Sequence, residues 1–207
     1  MQELNFNFKG ERTYIQGPDV YNALLKTYPN LRLFELSFHQ LMTQNILLSQ
    51  GAPKDEKDLY FIARFKSTQE LNFKNELRIF GLKNPNSKPS KSIIYEEEKI
   101  ISKSSLDLAK QEITLSCPSG FSFMEEIIAL NKHLLLNVFS EQKSKWYFAK
   151  LNLNDEFKEK YPLKLRFKSH FNFLLTKSEI FIANDRGGGG GVFLAEPENN
   201  IAQCFLL

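Results

Sequence analysis

The residues able to do chemistry gather on one stretch of the chain, Ser116-Cys117-Pro118-Ser119-Gly120 and the segment Phe121 to Phe139 that follows it. His133 falls on the same helical face as Glu126 and close to Glu125, and an imidazole within reach of a carboxylate is a conceivable acid-base pair because it titrates near neutrality. The alternative for these three side chains is a solvated helix face. Asn131 falls in the middle of the apolar stripe, between Ile127, Ile128, Leu134 and Leu135. A buried amide left unsatisfied costs roughly 1 to 3 kcal/mol, so Asn131 either ties the helix to sheet backbone or faces a polar site. Cys117 stands just before a helix start, where the dipole lowers a thiol pKa; no neighbour in sequence is a base, and a small buried residue is the plainer reading. Lys164, Arg166, Lys168 and His170 project from one face of a single strand. That row suits an acidic partner or phosphate groups, and otherwise serves as a solvated face whose lysines discourage edge pairing. It lacks the interleaved aromatics that RNA binding would want. His39 and His170 have no nearby Ser or Cys to activate, and are read as exposed strand residues. The run Gly187 to Gly191 holds five of the chain's 10 glycines. Consecutive bare amides can cradle phosphate, but the run lacks a Gly-Lys-Ser/Thr ending and precedes a strand, which fits a hairpin loop better.

The elements that must position these groups are mostly strands. Phe34, Leu36 and Phe38 alternate with polar neighbours, as do Leu59, Phe61, Ala63 and Phe65, and Leu163, Leu165 and Phe167. Period-two alternation of this kind marks strands with one buried face. Further strands are predicted near 3–16, 76–82, 92–102, 108–116, 146–153, 171–183 and 192–196, with connections short enough for antiparallel sheet. Two helices interrupt them. The longer runs from Phe121 to Phe139, with Ser and Pro before it, Glu125 and Glu126 in its first turn, and an apolar face of Met124, Ile127, Ile128, Leu130, Leu134, Leu135 and Val138. The shorter spans Pro18 to Tyr28, with Val20, Ala23, Leu24 and Thr27 as its buried face. The order strand, helix, several strands occurs twice: Glu11 to Gly17, the first helix and strands to about Ser102; then Leu108 to Ser116, the second helix and strands to Ala195. This predicts an α+β chain of two units, 1–104 and 105–207.

Composition bounds the function. Of 207 residues, 42% are hydrophobic, 25% charged and 19 are Phe, which excludes a disordered chain. A net charge of +3 is too weak a field to argue for nucleic acid. No apolar run reaches the roughly 18 residues of a membrane span, and the N-terminus lacks the basic start and apolar stretch of a signal peptide, so a cytoplasmic chain without membrane partners is expected. Two cysteines far apart suggest neither a disulfide framework nor a metal site, and no cofactor motif is present.

A strand, one helix and a run of antiparallel strands, twice over, with Gly120-Phe121-Ser122-Phe123-Met124-Glu125-Glu126-Ile127-Ile128-Ala129-Leu130 as a helix start, resembles the double, single-chain form of the hot-dog fold. The resemblance implies antiparallel sheets that each wrap a central helix. It further implies acyl thioesters of coenzyme A or acyl carrier protein as ligands, with a homodimer as a compatible assembly. Thioesterases of that family often place an acid near a helix start, a position that Asp19 or Glu125 matches. Activation of water there, with Gly120 to Ser122 stabilising an oxyanion, is the implied chemistry, and Lys164, Arg166 and Lys168 would receive the carrier protein or the cofactor phosphates. The family's dehydratases place a His before the helix, and none stands between 100 and 132 or between 1 and 38. A non-catalytic binding or assembly module is the rival reading.

Overall fold

The computed structural model describes residues 1–67, 76–141, 145–154, 157–171, 175–183 and 190–195. The chain divides into two compact units, Met1–Tyr95 and Glu96–Leu207, so Glu96 to Ser104 go with the second.

In the first unit, β1 (Gln2–Leu4), β2 (Phe8–Lys9), α1 (Gly17–Thr27), β3 (Leu31–Phe38), β4 (Ile46–Ser49), a 3-10 turn (Glu56–Asp58), β5 (Leu59–Ser67), β6 (Glu76–Lys83) and β7 (Ser92–Ile93) follow in order. The antiparallel strands lie β1-β4-β6-β5-β3, and β2 pairs with β7 in parallel. Pro18 pre-sets the first turn of α1, Asp19 sits at its positive end and Lys26 at its negative end. Val20, Tyr21 and Leu24 bury against the sheet, with α1 packed on β3. Three expectations fail here. Glu11 to Gln16 form turns rather than a strand, and the segment from 92 gives only β7 before the chain turns into a short helix. β4 was hidden because a four-residue strand carries too little periodicity to read. Thirdly, a bulge between Leu33 and Glu35 resets the alternation of β3, so Leu33 and Leu36 are buried while Phe34 lies under the ammonium of Lys66, 4.7 Å from its ring centre. In β6, a side chain at Gly81 would meet the Phe61 ring at 2.1 Å, so glycine there is what lets that fully buried ring lie across the strand.

The second unit contains α2 (Glu98–Ile101), β8 (Ser104–Asp107), β9 (Glu112–Leu115), α3 (Phe123–Val138), β10 (Tyr147–Leu153), β11 (Leu163–Phe171), β12 (Leu175–Ile182) and β13 (Gly190–Ala195). Its strands lie β10-β13-β12-β11-β9-β8, every pairing antiparallel. One face of this sheet is apolar, with Ile113, Leu115, Leu151, Leu163, Leu165, Ile180, Val192 and Leu194 all at 0% exposure. α3 packs on β9, β11 and α2, and Lys132 reaches Glu97 at 3.2 Å. Its first two and a half turns are buried on nearly all sides, Glu125 and Glu126 included, which corrects their placement on a wet face. The fold class is α+β, with a helix laid on antiparallel sheet in each unit. Among the described residues no helix is long and apolar enough to cross a membrane.

Candidate functional site

The N-terminus of α3 is where chemistry-bearing side chains meet. β9 ends at Leu115, and the loop that follows turns at Gly120, whose φ of +101° favours glycine and whose missing side chain leaves open space. Ser122 then caps the helix. Its hydroxyl accepts from the Glu125 N–H, and the Glu125 carboxylate accepts from the Ser122 N–H at 3.0 Å and from its hydroxyl at 2.7 Å, a complete capping box. One residue on, Glu126 is wholly buried. Its Oε1 accepts from both the N–H and the hydroxyl of Ser119, each at 2.6 Å, and its Oε2 accepts from the Tyr161 hydroxyl. The Lys103 ammonium donates to the Ser119 carbonyl at 2.8 Å, and the Phe123 ring meets Tyr161 edge-on at 5.5 Å. Loop, helix and the segment before β11 are thereby fastened at one carboxylate.

The electrostatics follow from burial. The Tyr161 phenol is pushed above its ordinary pKa by desolvation first, then by its hydrogen bond to Glu126 and that group's charge, so it remains a donor. The Glu159 carboxyl is likewise raised, by desolvation and then by Glu126. What results is a carboxylate held against a serine hydroxyl at hydrogen-bond distance and backed by a proton-holding phenol, the arrangement in which a general base is oriented. Sequence reasoning reached Glu126 only as a neighbour of His133 and missed Ser119 and Tyr161. Pro118-Ser119-Gly120 before a helix start was the available signal for Ser119. Nothing in the sequence links Tyr161 to a residue 35 positions away.

The other candidates lie apart from this cluster. Asp19 is bound to Lys9 at 2.5 Å in the first unit, where the Lys9 and Arg12 cations both lie 5.2 Å from the ring of Tyr95. Glu125 serves the cap. Asn131 is fully buried as expected, but neither atom of its amide has a hydrogen-bond partner, so the bond to sheet backbone is absent. His133 contacts Asn137 at i+4 rather than Glu126, from which two helical turns, about 10 Å of rise, separate it. Lys164, Arg166 and Lys168 do not form an open basic row. The Glu112 carboxylate takes Lys164 at 3.1 Å and Arg166 through its Nε at 2.5 Å, while Lys168 lies 3.4 Å from Glu179. The alternation showed which face these cations share but not that acids on β9 and β12 stand in register with them. His39 is half-buried, and desolvation lowers its pKa against the opposing charge of Glu56. His170 packs against Phe139 and Phe167, and Cys117 is an exposed thiol. Gly187 to Gly189 lie outside the described residues, whereas Gly190 and Gly191 open β13. Among the described residues no cluster of three metal-ligating side chains exists.

No family model matches the chain, and no curated protein does. Solved structures give weak matches. A tesB protein of Mycobacterium avium subs paratuberculosis is 8% identical over 92% of this chain and 91% of its own, with a TM-score of 0.45. A fusion DH domain is 11% identical over 94% and 83%, at 0.42. A monomeric dehydratase domain from a trans AT polyketide synthase split module is 12% identical over 93% and 96%, at 0.39. The fold class, α+β with a helix laid on antiparallel sheet in each unit, rests on the element order and the strand pairings. At this similarity no residue role or activity is transferred from those proteins, and the site stands on its own geometry.

Proposed function

We propose that this protein binds and processes acyl thioesters, carried on acyl carrier protein or coenzyme A, at the N-terminus of α3. The observation that carries the reading is the buried Glu126 carboxylate holding the hydroxyls of Ser119 and Tyr161 at the start of the unit's long helix. A thioester carbonyl brought beside Gly120 meets open backbone, and the helix dipole there favours the negative charge that grows on its oxygen as water attacks. Ser119 would take the proton from the attacking water as it passes its own hydroxyl proton to Glu126, and Tyr161 keeps the carboxylate oriented. Asp19 and Glu125 are less suited to that role, since an ion pair holds one and the helix cap the other. A non-catalytic binding module is favoured by one feature, that both oxygens of Glu126 are engaged internally.

The test is a panel of acyl-coenzyme A and acyl carrier protein thioesters of graded chain length, read by free-thiol release, by mass spectrometry for loss of the acyl group or of water, and by calorimetric binding. Turnover that falls about a hundredfold in Glu126→Gln and Ser119→Ala supports the catalytic form. Binding without turnover selects the module. Absence of both across the panel overturns the proposal.

A further inference from the structure

The outer face of the second unit's sheet holds a hollow of about 450 Å³ whose floor is the end of the glycine run. Register explains it. Asn152 of β10, Gly191 of β13, Glu179 of β12, Arg166 of β11 and Glu112 of β9 stand directly opposite one another in a single row across five strands. Four of the five carry polar side chains, and the fifth is bare. A gap therefore opens between Asn152 and Glu179, lined also by Phe193, Phe181 and Lys177.

The glycine at the gap is not required by the backbone. Gly190 is: its φ is +154°, and an added side chain would meet the Asn152 carbonyl oxygen at 2.3 Å. Gly191 has no such φ, and an added side chain would find only ordinary contacts, 3.4 Å from Cε of Lys177 and 3.7 Å from Phe193. A strand glycine that neither bulge nor close packing demands marks a place where something else approaches the backbone. A second observation points the same way: Oδ1 of Asn152, on the wall of the hollow, is buried and has no hydrogen-bond partner.

We propose that this hollow is a binding site for a neutral, hydroxyl-bearing ring of the monosaccharide class. The walls choose the chemistry by exclusion. A cation would face Lys177, with Arg166 over Phe181 at 5.0 Å and Lys168 beside Glu179. An anion would face the Glu179 carboxylate and the bare acceptor of Asn152. A ring whose hydroxyls both donate and accept satisfies Asn152 Oδ1, Glu179 and Lys177 at once, and its C–H groups can pack on the parts of Phe193 and Phe181 left open by Lys177, 5.7 Å from the one ring centre, and Arg166, 5.0 Å from the other. This site is independent of α3 and of the thioester reading.

The experiment is a ¹⁵N nuclear magnetic resonance titration of the full chain with glucose, galactose and N-acetylglucosamine, using glucosamine and glucuronate as charged counterparts. Saturable shifts of the Gly190 and Gly191 amides and of the Asn152 side-chain amide with at least one neutral sugar are expected, and weaker ones with the charged counterparts. Asn152→Ala and Gly191→Val each weaken binding about tenfold, as loss of one hydrogen bond or of the floor should. Should Gly191→Val fail to fold, Asn152→Ala decides alone. No saturable shift with any neutral sugar, tighter binding of a charged counterpart, or wild-type affinity in the folded variants overturns the assignment.

Discussion

The Tyr161 hydroxyl donates to the carboxylate of Glu126, 35 residues earlier in the chain, and this bond joins the segment before β11 to the first turn of α3. The same carboxylate accepts two more bonds from Ser119. Replacement by alanine therefore strands three donors together, the two of Ser119 buried and that of Tyr161 half-buried. Glu126→Ala should cost on the order of 3 kcal/mol in urea unfolding, and Glu126→Gln clearly less, because the amide keeps an accepting oxygen. Equal losses in the two variants would show that side-chain volume, not hydrogen bonding, is what Glu126 supplies.

Alkaline pH tests the other end of that bond. Tyr161 has its pKa raised above the ordinary 10.0, so above that pH the folded chain binds more protons than the unfolded one. Stability from this group is fully present below pH 10 and declines as pH rises further. Thermal melts between about pH 8 and 11 should show wild type losing stability faster than Tyr161→Phe, which has no proton to lose. Tyr28, also raised by burial, is common to both proteins and cancels in the difference.

Charge reversal on β11 is expected to damage the fold rather than leave it unmoved. Glu112 is 5% exposed and depends on Arg166 and Lys164. Arg166→Glu removes one counter-charge and sets an acid opposite both Glu112 and Glu179, so a loss on the order of 3 kcal/mol is expected by chemical denaturation. Burial pushes the Glu112 carboxyl up, but the hydrogen bonds from Arg166 and Lys164 outweigh it and hold the pKa below the usual range. Stability from Glu112 is thus present above about pH 4.5 and lost as pH falls, so Glu112→Gln should flatten the acid limb of the unfolding profile. A variant as stable as wild type would return these cations to the status of a solvated row.

How much of this was legible follows from the range of each signal. α1 and α3 were readable because helix-start signals and apolar stripes are local: Pro18 marks the first turn of α1, and Glu125 and Glu126 that of α3. The long strands β5 and β11 were readable from alternation, whereas β4 and β8, four residues each, carry too few repeats. The bulge at Phe34 was not, since one extra residue leaves composition unchanged and moves every side chain before it to the opposite face. The candidate site was half legible. Glu125 and Glu126 look alike in the sequence, and only the positions of Ser119 and Tyr161 separate a capping acid from a buried one. The pairing of the β11 cations was likewise invisible, because register between strands is set by contacts dozens of residues apart.

Asn131 offers the sharpest remaining test. It is at 0% exposure in the buried part of α3, and both its amide atoms lack partners. Burial without hydrogen bonds costs roughly 1 to 3 kcal/mol, so an apolar residue of similar size removes a penalty instead of a bond. Asn131→Leu should therefore raise stability, by about 1 to 2 kcal/mol in urea unfolding. The sign separates two roles. A stabilised variant that still binds thioesters makes Asn131 a strained interior residue with no part in recognition. A stabilised variant that no longer binds them makes it a ligand-facing amide, kept at a cost to the fold, and would extend the thioester site from Gly120 two turns along α3. A destabilised variant would mean that the amide has partners in solution, and the pinning role expected from its position on the helix would be restored.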